Sequence, residues 1–175
     1  KTLYKENDDS YILSNDGSVY IEPVEPEPEP TPEPTLDEVK EAKVAEMNTA
    51  QQTIIAQGVD VTLTDGKSHH FSLSDHDQLS LMGLQTQVIA GSDKIPWHTS
   101  DVETGCEYFT NSDMALITEK AMEFVTWHIT YFINLRLYIN SMLDRESVES
   151  VYYGIYIPEE YQDDVMKDLY SKTGK

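Results

Sequence analysis

The chain has 175 residues, room for one domain and an appendage, and it carries 32 acidic against 12 basic side chains for a formal charge of −20. Such a field repels nucleic acid and anionic lipid, which excludes nucleic-acid and membrane-surface roles from the reading, and it suits solubility at high local concentration or a basic protein partner. A single cysteine, Cys106, excludes an intrachain disulfide framework, and the N-terminus, which opens on Lys1, has no apolar core of signal-peptide type, so a reducing cytoplasm is the expected place of synthesis.

Residues 1–22 read as short strands. Ser10 to Ser14 and Ser18 to Ile21 flank Asn15-Asp16-Gly17, and Asp-Gly between alternating β-formers signals a hairpin. A lone hairpin has no second layer on which to bury Tyr11, Leu13, Val19 and Ile21. It therefore docks on the main domain or on another protein; the second reading makes those four residues partner contacts. Residues 23–34 alternate Pro and Glu almost strictly, which forbids helix and sheet and pushes the chain open. At about 3.1 Å per residue the segment would reach close to 40 Å, either as a tether or as a connector without a fixed position.

A helix is predicted from Thr35, with Glu38 completing a capping box, through an apolar face of Leu36, Val39, Met47, Ala50, Ile54 and Ile55 to Gly58. Val59 to Leu63 and Ser68 to Leu73 alternate as strands around Thr64-Asp65-Gly66-Lys67. Ser74 caps the next helix, with Asp75 and Asp77 in its first turn; Leu79, Leu81, Met82, Val88 and Ile89 are expected to form its buried side, and Gly91 stops it. Short strands follow at Ile95 to His98 and Cys106 to Phe109.

From about 113 to 143 the chain reads as one long amphipathic helix capped by Asn111 or Ser112. Met114, Ile117, Ala121, Phe124, His128, Tyr131, Leu135, Tyr138 and Met142 step by three and four, with Val125, Phe132 and Ile139 widening the stripe. At roughly 1.5 Å per residue it spans about 45 Å and must be covered by the rest of the chain or by neighbouring subunits. Asp144 opens a short helical turn through Val151. Pro158 is expected at the first position of a last helix marked by Tyr161, Val165 and Leu169, and residues 171–175 form a polar tail. The fold class is thus α+β, mainly helical: a helical bundle on the long helix with small β-hairpins over 35–170, preceded by the Pro/Glu linker and the N-terminal β segment.

Candidate chemistry is sparse. His69, His70, His76, His98, His128 and Cys106 occur without CxxC, HxxxH or HExxH spacing. His98 and Cys106 could meet across their hairpin, which supplies two metal ligands at most. As a nucleophile and base, the same pair sits among Asp101, Glu103 and Glu107, the opposite of the electropositive setting a thiolate needs. No phosphate loop, nucleophile elbow or dinucleotide fingerprint is present. The reading is a non-enzyme with no cofactor and no metal. Of eleven tyrosines, seven, from Tyr131 to Tyr170, fall in the last 45 residues. Tyr152, Tyr153 and Tyr156 among them either face a partner or close the end of the bundle.

Three patterns between residues 39 and 170 carry a resemblance: Phe71-Ser72-Leu73 with Asp77-Gln78, Trp97-His98 with Cys106, and Ile157-Pro158 with Glu160-Tyr161-Gln162. In these the chain resembles a domain of unknown function carried by tailed bacteriophages and prophages, in proteins of the tail, baseplate and tail-fibre region, often in phages of Gram-positive bacteria. It departs from the common pattern at Ser80, where relatives often have Asn, and at Trp97, where they often have Tyr. The resemblance brings no catalytic residues with it. It implies a virion component of a tail tip or baseplate, made in the host cytoplasm, an adaptor that docks through its N-terminal segment and supports a tail fibre or receptor-binding protein. Threefold homo-oligomerisation follows by analogy with phage fibres. The alternative is a tail-fibre assembly chaperone missing from the finished particle.

Overall fold

The computed structural model describes residues 3–5, 11–13, 33–101 and 105–173. The chain divides into two compact units, Lys1–Glu33 and Pro34–Lys175. In the first, β1 (Leu3–Lys5) pairs antiparallel with β2 (Tyr11–Leu13), Leu3 opposite Leu13. The hairpin expected around Asn15-Asp16-Gly17 and the Pro/Glu run over 23–32 lie outside the described residues.

The second unit is mainly helical. Helix α1 (Leu36–Gln57) begins where expected: the Thr35 hydroxyl accepts from the Glu38 N–H, and the Glu38 carboxylate accepts from the Thr35 N–H at 2.7 Å. These local bonds satisfy donors that the first turn leaves open. The helix ends at Gly58, whose φ of 95° turns the chain straight into β3 (Val59–Thr62). Strand β3 pairs antiparallel with β4 (Ser68–Phe71), Val59 opposite Phe71, across the Asp65-Gly66 turn. Helix α2 (Asp75–Ile89) follows, with a second capping box between Ser74 and Asp77. Strands β5 (Ile95–Trp97) and β6 (Glu107–Phe109) form the last antiparallel pair.

Helix α3 (Asn111–Ser141) is the long helix of the sequence reading, and its uninterrupted 31 residues run about 46 Å at 1.5 Å each. Its cap is Thr110, not Asn111 or Ser112: the Thr110 hydroxyl accepts from the Asp113 N–H. Asn111 is instead occupied in donating to the carbonyls of Val88 and Ser92, where α2 ends. Helix α4 (Arg145–Glu149), capped by Asp144, comes next.

Two cores are threaded on α3. The N-terminal half contributes Met114, Ile117, Ala121 and Val125 to a cluster with Ile55, Val61, Phe71, Leu81, Ile95, Trp97 and Phe109. The hairpins thus do more than decorate a bundle, since they supply Val61, Phe71, Ile95, Trp97 and Phe109 to this core. The C-terminal half contributes Tyr131, Leu135 and Ile139 to a second cluster with Met47, Val148, Val151, Ile157 and Met166. Each such side chain is worth about 1.5–3 kcal/mol when fully buried.

Two expectations need correction. The inward face of α2 is Asp77, Leu81, Leu84 and Val88, whereas Leu79, Met82 and Ile89 point outward. Both sets fit a helical repeat, and α3 covers the first. The last predicted helix is broken in two, a 3-10 turn at Glu159–Tyr161 and then α5 (Asp164–Thr173), which buries Met166 while Val165 is exposed. The break comes from Asn134 in the middle of α3, fully buried. Its Oδ1 accepts the Asp163 N–H at 2.7 Å and its Nδ2 donates to the Asp163 carboxylate at 3.1 Å.

Removing that amide leaves the Asp163 N–H in a part-buried position without its acceptor. Asn134→Ala is expected to cost about 1–3 kcal/mol, read as a lower urea midpoint at unchanged slope. A Cβ added at Gly58 would stand 1.9 Å from the Phe71 carbonyl oxygen, on a φ that L-residues avoid. Gly58→Ala should therefore lower the thermal midpoint by several degrees, the equivalent of about 1–3 kcal/mol.

Candidate functional site

A hydrogen-bonded group of polar side chains lies where α1, the β3–β4 hairpin and the start of α2 meet. Asp60 and His70 are cross-strand partners. His70 Nδ1 is 2.7 Å from the Asp60 carboxylate, and Nε2 is 2.6 Å from the carbonyl of Gln57, the last residue of α1. Both neighbours only accept, so the arrangement favours a ring that donates from both nitrogens, the imidazolium. Asp60 and then the Gln57 carbonyl raise the His70 pKa above its ordinary value. A cation there also suits the negative end of the α1 dipole.

Around this pair the segment after β5 is stitched to β4. Ser100 N–H donates to the His70 carbonyl at 2.8 Å, Ser72 N–H to the Ser100 hydroxyl at 2.9 Å, and His70 N–H to the Asp101 carboxylate at 2.7 Å. His69 Nδ1 lies 3.4 Å from the same Asp101 carboxylate. Asp77, nearly buried, accepts from the Ser72 hydroxyl and from the Ser74 hydroxyl and N–H, and faces His98 Nε2 at 3.7 Å. Sequence reasoning weighed His70 only as a metal ligand and passed over Asp60, although the register of an Asp-Gly hairpin places the two opposite each other.

His98 and Cys106 flank the last paired residues of β5 and β6, Trp97 and Glu107, so the topology brings them to the same end of that hairpin. The His98 ring stacks on Trp97 at 4.6 Å and is half-exposed; Cys106 is exposed. Among the described residues, no group of three or more His, Cys, Asp or Glu side chains converges as a metal ion requires.

Several of the residues that carry the resemblance have structural work. Phe71 and Leu73 are core, Ser72 and Asp77 belong to the hydrogen-bonded capping group, and the Gln78 side chain donates to the Leu73 carbonyl at 2.8 Å. Ile157 is fully buried, the Gln162 amide donates to its carbonyl, and Tyr161 packs on Tyr138 at 5.1 Å.

The tyrosines separate into two kinds. Tyr153 stacks beside His128 and its hydroxyl lies 2.9 Å from His128 Nδ1. Tyr131 stacks on Trp127, donates to the Ile155 carbonyl at 2.7 Å and accepts from the Gly154 N–H. Burial pushes both hydroxyls well above the ordinary tyrosine pKa, so they remain hydrogen-bonding phenols. Tyr152 and Tyr156 instead face outward. Tyr11 and Leu13 lie on β2, whereas Val19 and Ile21 are outside the described residues.

Beside the aromatic cluster a groove of about 890 Å³ runs along α3 and the end of α5, with Met122, Phe124, Trp127 and Leu169 in its wall and Glu119, Lys120, Glu123 and Lys172 also lining it. Outward apolar side chains form two further rows, Leu79, Met82 and Ile89 on α2, and Met122, Ile129, Ile133 and Leu137 on α3. Among the described residues no helix is long and apolar enough to cross a membrane. Comparison of the chain with protein-family models, with curated proteins and with solved structures gives no match.

The His70 clamp makes stability depend on pH. Because the folded pKa is raised, its contribution is fully present below about 6.5 and is lost as pH climbs through the folded value. Thermal midpoints measured from acid to mildly alkaline pH should fall across that window in the wild type. His70→Gln should show a shallower fall; an identical profile would remove the clamp as its cause.

Proposed function

We propose that the chain is a structural adaptor of a bacteriophage tail tip or baseplate, docking through its first unit while the second supports a tail fibre or receptor-binding protein. The observation that carries this reading is the division into a compact helical unit from Pro34 onward and a separate first unit with its own paired strands. The Pro/Glu spacer of the sequence suits a tether between an anchoring segment and a body that folds by itself. β-strand addition is the mode by which a short paired segment grips a partner's sheet edge.

The roles of the resemblance-bearing residues support the same view. Capping, core packing and hairpin stitching are what a fold signature consists of. The −20 charge favours a basic or neutral protein neighbour. The adaptor acts without catalysis or cofactor, as a copy in the virion after synthesis in the host cytoplasm, in contact with other tail proteins and with further copies of itself.

Deleting residues 1–33 should leave the helical circular dichroism of the remainder unchanged and prevent incorporation into particles. Normal incorporation of the truncated chain would reject the anchor. Mass spectrometry of purified particles is expected to find the full chain in stoichiometric amount; its presence only in infected-cell lysate would move the assignment to an assembly chaperone.

A further inference from the structure

We propose that the outward face of α2 is a docking site for a basic amphipathic helix of another protein. Leu79, Met82, Thr86 and Ile89 step by three, four and three, which puts them in one row opposite the face that Leu81, Leu84 and Val88 press on the core. The row is strongly exposed: Leu79 at 68%, Met82 at 58% and Ile89 at 81%. Contiguous outward apolar side chains of this kind mark interaction surfaces. In a chain of which 25% of residues are charged, residues 78–92 carry no charged side chain at all. A helix laid along the row would therefore desolvate no ion. Gly83 flanks the row with nothing within 4 Å of an added Cβ, so an approaching backbone meets no bulk there.

Charge decides what lies on this face. Asp75, one turn before Leu79 and in the same row, is exposed at one end, and exposed Asp93 follows the other end. Lys94 is the sole Lys or Arg between Ser68 and Glu119, a stretch otherwise rich in Asp and Glu. A second copy laid antiparallel, with Leu79 on Ile89 and Met82 on Thr86, would bring Asp75 level with Asp93 at both ends; a parallel copy would bring Asp75 to Asp75. Each arrangement also brings together two chains of −20. A helix with apolar anchors at the same spacing and Lys or Arg at its two ends meets the apolar row and both acids. The surface does not depend on the tail-adaptor reading, because it follows from the burial and charge of α2 alone.

The test uses the full chain and a fluorescently labelled synthetic peptide of about 15 residues, with leucines at i, i+3, i+7 and i+10 and two lysines at each end. Binding is read by fluorescence anisotropy at low and physiological salt. The wild type should bind, more tightly at low salt, and the same peptide with glutamates at its ends should not. Leu79→Gln/Met82→Gln/Ile89→Gln should weaken binding at least about tenfold, and the single change Ile89→Lys, at the most exposed position, should weaken it in the same direction should the triple variant fail to fold. Ile129→Gln/Ile133→Gln, on the outward row of α3, should bind like the wild type. The proposal is overturned if the wild type does not bind the basic peptide, if Ile89→Lys binds as well as the wild type, or if the α3 variant is the one that loses binding. It is overturned equally if the wild type self-associates in sedimentation and Ile89→Lys abolishes that association, which would make a second copy the occupant.

Discussion

A helix of 31 residues without Gly or Pro cannot be hidden by one small core, and the rest of the second unit is arranged around that constraint. Two separate groups of segments cover it. The end of α1, two hairpins and α2 close over its first half, and the start of α1, α4, the 151–157 segment and α5 close over its second. Among the described residues only α1 shares with α3 the task of reaching both clusters, through Met47 at one and Ile55 at the other. Apolar burial supplies the driving force in each half, but it does not by itself say which segment belongs where.

That assignment falls to polar side chains on α3 that reach out to fixed backbone groups. Asp113 accepts from the N–H and hydroxyl of Thr64, both at 2.8 Å, and so pins the β3–β4 turn to the start of the helix. Asn111 holds the end of α2, Tyr131 holds the 154–155 corner and Asn134 holds the entry to α5. The bonds of Asn111, Tyr131 and Asn134 are part-buried, where an unmet partner is costly, whereas those of Asp113 lie at the exposed surface. Four side chains along one helix, Asn111, Asp113, Tyr131 and Asn134, thus help place the segments around it, and outward-facing chemistry is left to the surfaces of α2 and α3 and to the exposed tyrosines.

How much of this was legible in the residues depended on the range of the interaction. The capping box of Thr35 with Glu38 and the cap at Ser74 are local and could be read directly, as could α3 from its periodicity, whereas the return bond from Asp77 came only with the structure. The inward face of α2 could not, because apolar residues at 81, 84 and 88 and at 79, 82 and 89 both satisfy the helical repeat, and the choice lies with α3. The split of the last helix was hidden for the same reason, since the group that takes the Asp163 N–H is 29 residues away in the chain. His70 and Asp60 stand between these cases: their pairing follows from a hairpin register that the sequence does state, once the Asp-Gly turn is taken as its centre.

The threading of both clusters on one unbroken helix has a consequence for how the unit comes apart. Half of α3 stripped of its covering would be a segment of about 15 residues, near the length at which an isolated helix in water is only marginally stable. Loss of either cluster therefore frays the helix toward the other and erodes it in turn. The two halves are bound into one cooperative opening event, and amide hydrogens near Val125 and His128, at the junction, exchange only when nearly everything else has let go.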